Sequence, residues 1–239
     1  MTNPLQIKVY SDGAVLEHML NDLNSGLVTG FTTNPSLMKK AGITSYIGFA
    51  RDVLSQITEH PVSFEVFADD IDTMRKEAER IAELGDNVYV KIPVTTSTGI
   101  STADLIKELS EKGIKLNVTA VFTVEQTRLV VDHLTSGVPA IVSVFAGRIA
   151  DTGVDPLPIM TEALAICREK ESIELLWASP RETFNIYQAQ ALGVDIITCT
   201  SDLIAKLPLA GKQLEDYSLE TVQMFLNDSK SLGFSILED

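Results

Sequence analysis

The sequence predicts an α/β protein, a closed (β/α)8 TIM barrel with an extra C-terminal helix, in one domain spanning residues 1–239. Three observations point there. A short apolar strand, a polar turn and an amphipathic helix recur with a spacing of about 30 residues, the length of one βα unit. The strands are rich in Val and Ile and nearly continuous in apolar character, as parallel strands covered on both faces should be. The length of 239 residues matches the usual extent of one such barrel. An open doubly wound sheet is the alternative. Against it, the Gly-containing segment VTGFTTNPS (28–36) lacks the GxGxxG spacing of a dinucleotide loop.

Taken in order, the strand candidates are IKVYSD (7–12), GLVTGF (26–31), VSFEVFA (62–68) and NVYVKIPV (87–94). They continue as IKLNVTAVF (114–122), AIVSVFA (140–146), IELLWAS (173–179) and DIITCT (195–200). Helical patterns lie between most of them. One begins at the N-cap candidate Thr44 and runs through SYIGFARDVLSQI. DIDTMRKEAERIAEL places Ile71, Met74, Ala78, Ile81 and Ala82 on one face. Thr123 caps VEQTRLVVDHL, and Gly193 stops ETFNIYQAQAL. The last helix, within 216–237, carries Leu219, Val222, Phe225 and Leu226 on one face.

Composition narrows the function. Apolar residues make up 45% of the chain and charged residues 22%, which is globular. The formal charge of −14 disfavours nucleic acid and acidic membranes as partners. An anionic small substrate stays possible if local cations reverse the sign. No apolar leader opens the chain and no stretch approaches the roughly 20 apolar residues of a membrane span. Cys167 and Cys199 lie in apolar runs without CxxC spacing, so both read as reduced core residues of a cytoplasmic protein. His18, His60 and His133 show no ligand spacing, so neither a His-based metal site nor a Ser-His-Asp triad is expected.

In a barrel of this kind, chemistry sits at the C-terminal ends of the strands. Those ends are polar throughout: Asp12; Thr32, Thr33 and Asn34; Glu65; Lys91; Asn117 and Thr119; Ser143 and then Arg148; Ser179 and Arg181; Thr198 and Thr200. Alternation with period two places Asn117 with Thr119, Ser143 with Phe145, and Trp177 with Ser179 on shared faces. Lys91 is the sharpest signal, standing in the apolar run VYVKIPV (88–94). Such a lysine is either buried in an ion pair, with Glu65 as the neighbouring partner, or an amine nucleophile that forms a Schiff base with a carbonyl. Lys8 and Lys115 fall near strand starts and are weaker candidates. Arg148 and Arg181 are either surface ion pairs or the planar forks that hold an anion.

GFTTNPSLM (30–38), VYVKIPVT (88–95), LNVTAVFTVEQ (116–126) and VSVFAGRIAD (142–151) resemble, in order and spacing, the motifs of the transaldolase family. The resemblance runs from about residue 7 to about 235, and is to the short-chain branch that includes fructose-6-phosphate aldolases. It implies a Schiff-base enzyme with no metal or organic cofactor. A lysine attacks a ketose phosphate, the C3–C4 bond breaks, and a dihydroxyacetone unit passes to an aldose phosphate. By match to the motifs, Lys91 is the nucleophile and Asp12 moves the C4 hydroxyl proton. Glu65 and Thr119 hold a water that shuttles protons. Thr32, Asn34 and Asn117 contact the substrate, with Ser143 and Phe145 beside them. Arg148, Ser179 and Arg181 hold the distal anion. Relatives of the aldolase type carry Tyr where Phe145 stands and Gln where Glu65 stands, so the transferase pattern fits better. Pro180 replaces an aromatic residue of relatives, which leaves a sulfonated ketose such as 6-deoxy-6-sulfofructose beside fructose 6-phosphate or sedoheptulose 7-phosphate. A non-catalytic sugar-phosphate-binding barrel is disfavoured by the intact Asp12, Glu65, Lys91 and Thr119. Short relatives form pentamer-based rings, including decamers, so a homo-oligomer is implied; the apolar face around Val222 and Phe225 fits that or packing on its own barrel.

Overall fold

The structure is a computed structural model that describes residues 5–234 and 236–237. Its backbone divides into two compact units, Leu5–Ala205 and a second that begins at Lys206. The first is a closed barrel of eight parallel strands in sequence order. They are β1 (Lys8–Asp12), β2 (Gly30–Thr32), β3 (Val62–Glu65), β4 (Val88–Pro93), β5 (Leu116–Val121), β6 (Ala140–Val144), β7 (Ile173–Trp177) and β8 (Ile196–Cys199). Closure comes from β1, which pairs with both β2 and β8. All eight expected strands are present, most trimmed by one or two residues. The second is displaced: the expected run 26–31 yields only Gly30–Thr32.

The helices bury the apolar faces that the sequence offers. α1 (Leu16–Asn24) and α2 (Pro35–Lys40) flank β2. α3 (Tyr46–Gln56) is capped by Ser45, whose Oγ accepts from Gly48 N at 3.1 Å. The expected cap was Thr44, one residue earlier. A short hydroxyl side chain suffices at either position, and the register of the turn selects Ser45. α4 (Ile71–Ala82) buries Met74, Ala78 and Ile81, with Asp70 as its cap. α5 (Ala103–Glu111) and α6 (Val124–His133) follow, the latter with a capping box between Thr123 and Gln126. Two helices make up the sixth crossover, α7 (Ala146–Asp151) and α8 (Leu157–Cys167). α9 (Phe184–Leu192) ends at Gly193 in the left-handed conformation, φ 78°. α10 (Ser201–Ile204) closes the barrel unit.

The barrel interior is layered. Tyr10, Ile141, Leu176, Ala178 and Ile196 form its apolar cluster, with Tyr89 and Phe145 packed against it. Gly30 is required here, because a Cβ at that position would lie 2.5 Å from the Tyr10 ring. Below this layer Lys8 Nζ pairs with Glu174 at 2.6 Å. Above it the inward side chains turn polar.

The second unit contains a short 3-10 turn (Leu207–Leu209) and α11 (Leu214–Ser231), the expected C-terminal helix. No residue of α11 is buried; Leu219, Val222, Phe225 and Leu226 are each more than half exposed. The expected helical run reached Leu237. The helix stops at Ser231, and Ser235 lies outside the described residues. Among the described residues no helix is long and apolar enough to cross a membrane.

Candidate active site

Strand register fixes the polar layer. Glu65 lies beside Lys91, Lys91 beside Asn117, and Asp12 beside Thr32. Inward positions repeat every second residue, so Tyr10 and Asp12 share the interior, as do Tyr89 and Lys91. Together these ends border a cavity of about 560 Å³. Of the residues singled out in the sequence, Asp12, Thr32, Asn34, Glu65, Lys91 and Thr119 line it, together with Ser143, Phe145, Arg148, Ser179 and Arg181.

Lys91 is 7% exposed. Its Nζ lies 3.2 Å from Glu65 Oε2 and donates to the Thr33 carbonyl at 3.2 Å. The amine therefore reaches the cavity from an otherwise apolar strand, held by one carboxylate and one carbonyl. Asp12 stands across the same floor. Burial pushes its carboxyl above the usual carboxylate range, opposed by the positive charge of Lys91 and by the Thr32 hydrogen bond. Thr32 Oγ1 donates to Asp12 Oδ1 at 2.7 Å and also lies 2.5 Å from Thr198 Oγ1.

Asn117 is the exception among the expected contacts. It is fully buried and does not border the cavity. Its Nδ2 donates to Ser63 Oγ at 2.9 Å, and its Oδ1 accepts from Ser143 Oγ at 2.6 Å. It thus orients Ser143 from behind. Asn34 lines the cavity while its Oδ1 caps α2 through Leu37 N at 3.0 Å, with Pro35 at the first turn. The Thr119 hydroxyl is buried without a hydrogen-bond partner among the described residues.

The seventh strand departs from simple alternation. Trp177 faces away from the interior, in register with Val144 and Ile197. Ala178 joins the inner cluster instead. Ser179 therefore does not reach the cavity by sharing Trp177's face. It reaches it because the chain turns left-handed there, φ 60°. Ala120, also on the cavity wall, has φ 58° at an irregularity in the β5–β6 pairing. Strained backbone of this kind concentrates at functional sites. Gly147 is what admits the turn: a Cβ there would lie 1.5 Å from the Ser179 carbonyl oxygen.

The rim carries the two arginines. Arg148 stacks over Phe145 at 5.6 Å and has no carboxylate partner among the described residues. Arg181 is forked onto Asp151, with Nε donating to Oδ1 at 3.0 Å and Nη2 to Oδ2. Sequence reasoning offered both surface pairing and anion binding for Arg181. The fold brings it to the cavity and supplies an internal carboxylate as well. Asp151 stood in the quoted motif GRIAD, yet nothing local marked it as a partner thirty positions away.

Both cysteines are buried and reduced, with thiols pushed up to about 12 by burial. Among the described residues no group of three or more His, Cys, Asp or Glu is placed to hold a metal ion.

Residues 9–236 match the family described as transaldolase/fructose-6-phosphate aldolase. A probable transaldolase of Methanococcus maripaludis is 34% identical over 218 residues, 88% of this chain and 95% of the relative. A probable transaldolase of Erythrobacter litoralis is 33% identical over 232 residues, covering 97% of this chain and 100% of the relative. One of a Thermoanaerobacter species is 32% identical over 231 residues, 96% and 100%. With the closed barrel and the polar strand ends already in place, these matches assign the chain to the transaldolase/fructose-6-phosphate aldolase family.

Proposed function

We propose that this protein is a Schiff-base transaldolase that moves a dihydroxyacetone unit from a ketose phosphate to an aldose phosphate. The observation that carries the reading is the Lys91 amine, 7% exposed at the cavity floor and 3.2 Å from Glu65. A structural ion pair would have no need of a neighbouring cavity lined by a second carboxylate, Asp12.

Lys91 Nζ adds to the C2 carbonyl, and loss of water gives a protonated imine. Glu65 and the Thr119 hydroxyl are placed to hold the water that relays protons in this step. Asp12 takes the C4 hydroxyl proton as the C3–C4 bond breaks. The electron pair of that bond flows into the imine, leaving an enamine and releasing an aldose phosphate. The enamine then adds to the acceptor aldehyde, Asp12 returns its proton to the new hydroxyl, and water frees Lys91. Arg148, Ser179 and Arg181 hold the distal anion. The imine is the electron sink, so the residues of the chain suffice for the step.

Phe145 favours transfer over release of free dihydroxyacetone. Its ring offers no hydroxyl to the catalytic water. The Arg181–Asp151 fork and Pro180 keep a second donor in view, a ketose with a distal sulfonate, because a neutralised Arg181 leaves less positive charge for a dianion. The test is reduction with borohydride in the presence of fructose 6-phosphate, followed by peptide mass spectrometry. The expected result is a three-carbon adduct on Lys91, with the bound unit passing to erythrose 4-phosphate faster than it is released. Absence of any adduct on folded protein overturns the reading, and dominant release converts it to an aldolase.

The same reading includes a homo-oligomer. The exposed face of Leu219, Val222, Phe225 and Leu226 is a large apolar surface for a monomer to show water. Sedimentation of wild type against Val222→Asp/Phe225→Asp tests this, with a multimer expected for the former and loss of mass for the latter.

A further inference from the structure

Thr198 is a polar strand end to which the proposed mechanism gives no part. The residue is 6% exposed and lines the cavity, two positions beyond Ile196 of the apolar cluster. Its one hydrogen bond among the described residues is to Thr32 Oγ1, at 2.5 Å. Thr32 in turn donates to Asp12 Oδ1 at 2.7 Å.

The direction of these bonds follows from proton counting. An ionised carboxylate only accepts, and a hydroxyl has one proton to give. While Asp12 is ionised, Thr32 spends its proton on Asp12, so Thr198 must donate to Thr32. When Asp12 carries a proton it can donate to Thr32, Thr32 can then donate to Thr198, and the Thr198 proton turns toward the cavity. The chain of two hydroxyls serves both states by rotation alone, without moving a heavy atom. A valine of the same shape at 198 would fill the space but could neither donate to Thr32 nor accept from it.

We infer that Thr198 is a positioning residue: acting through Thr32, it holds Asp12 in place both before and after Asp12 takes up the substrate proton. This rests on the proposed role of Asp12 as the proton acceptor in C3–C4 cleavage. Imine formation at Lys91 does not pass through the chain, so the two steps separate.

The test compares Thr198→Val and Thr198→Ser in the full-length protein with fructose 6-phosphate. Borohydride-trapped adduct on Lys91 is read by intact mass, and aldose phosphate release is read in a single turnover. Thr198→Val should trap the same total of adduct on Lys91, three-carbon plus uncleaved six-carbon, and cleave about fivefold more slowly, the effect of one hydrogen bond between neutral groups. Thr198→Ser should cleave within about twofold of wild type, since the hydroxyl is kept. Should the valine variant not fold, Thr198→Ala removes the same hydroxyl and carries the same expectation. Wild-type cleavage by the hydroxyl-free variant, or a serine variant as slow as valine, overturns the inference while leaving the Lys91 reading intact. A wild-type protein that traps no adduct overturns both.

Discussion

Lys8 and Lys91 make a useful pair, one at each end of the same barrel. Each is an inward strand lysine opposite a glutamate. Lys8 meets Glu174 at 2.6 Å with half of its side chain in water, whereas Lys91 meets Glu65 at 3.2 Å with 8% of its side chain exposed. The lower pair is closer, but solvent screens it and either partner can be hydrated alone. The upper pair stands over an apolar layer, beside a second carboxylate, at a cavity of about 560 Å³. Distance alone therefore does not set the two pairs apart. Burial, a second charged group and open space do.

The largest break of this contrast is expected at Lys91. Lys91→Ala should abolish transfer and the borohydride adduct while thermal melting shows a folded protein. Residual adduct elsewhere on the chain would mean that the amine was misassigned.

Asp12→Asn comes next. Adduct should still form on Lys91, now as the uncleaved six-carbon imine, while cleavage falls by about a hundredfold or more, as for loss of a general base. Two pH effects follow from the raised Asp12 carboxyl. Cleavage needs the ionised form, so its acid limb should lie above the usual carboxylate range. Stability runs the other way. With the folded value raised, the protonated form is favoured by folding, and that contribution is lost as pH rises from the ordinary value through the folded one. Relative to wild type, Asp12→Asn should therefore gain stability across that window. Denaturant melts at acid and neutral pH read the sign.

At the rim, Arg181→Ala should raise KM for a phosphorylated ketose about tenfold with little change in kcat, one charge-assisted contact being lost. Trapping of unphosphorylated dihydroxyacetone should be unaffected. An unchanged KM would remove Arg181 from anion binding and leave its bond to Asp151 as its only role.

The smallest effect is expected at the lower end. Lys8→Ala should alter stability by about 1 kcal/mol or less and leave transfer unchanged. A large loss of activity there would dissolve the distinction between the two ends.

The eight-unit order and the polar strand ends were legible in the sequence, as was Lys91 as the strand lysine set in an apolar run, which the fold buries. These are properties of short windows: an apolar run of a given length, a cap, a charge where apolar residues surround it. The N-cap of α3 and the length of β2 were misplaced by a residue or a few, since the register of a turn depends on what it packs against. Tertiary structure alone decided the rest. Thr198 and Thr32 are separated by 166 positions and meet only because β8 closes on β1. Asn117 lies behind the cavity wall, its amide bonded to Ser63 and Ser143. Ser179 entered through a left-handed turn that Gly147 permits, against strand alternation. Arg181 found Asp151. In each case the physical reason is the same. Periodicity along a chain sets which way a side chain points, while the partner it reaches is set by closure, register and close backbone approach between segments distant in sequence.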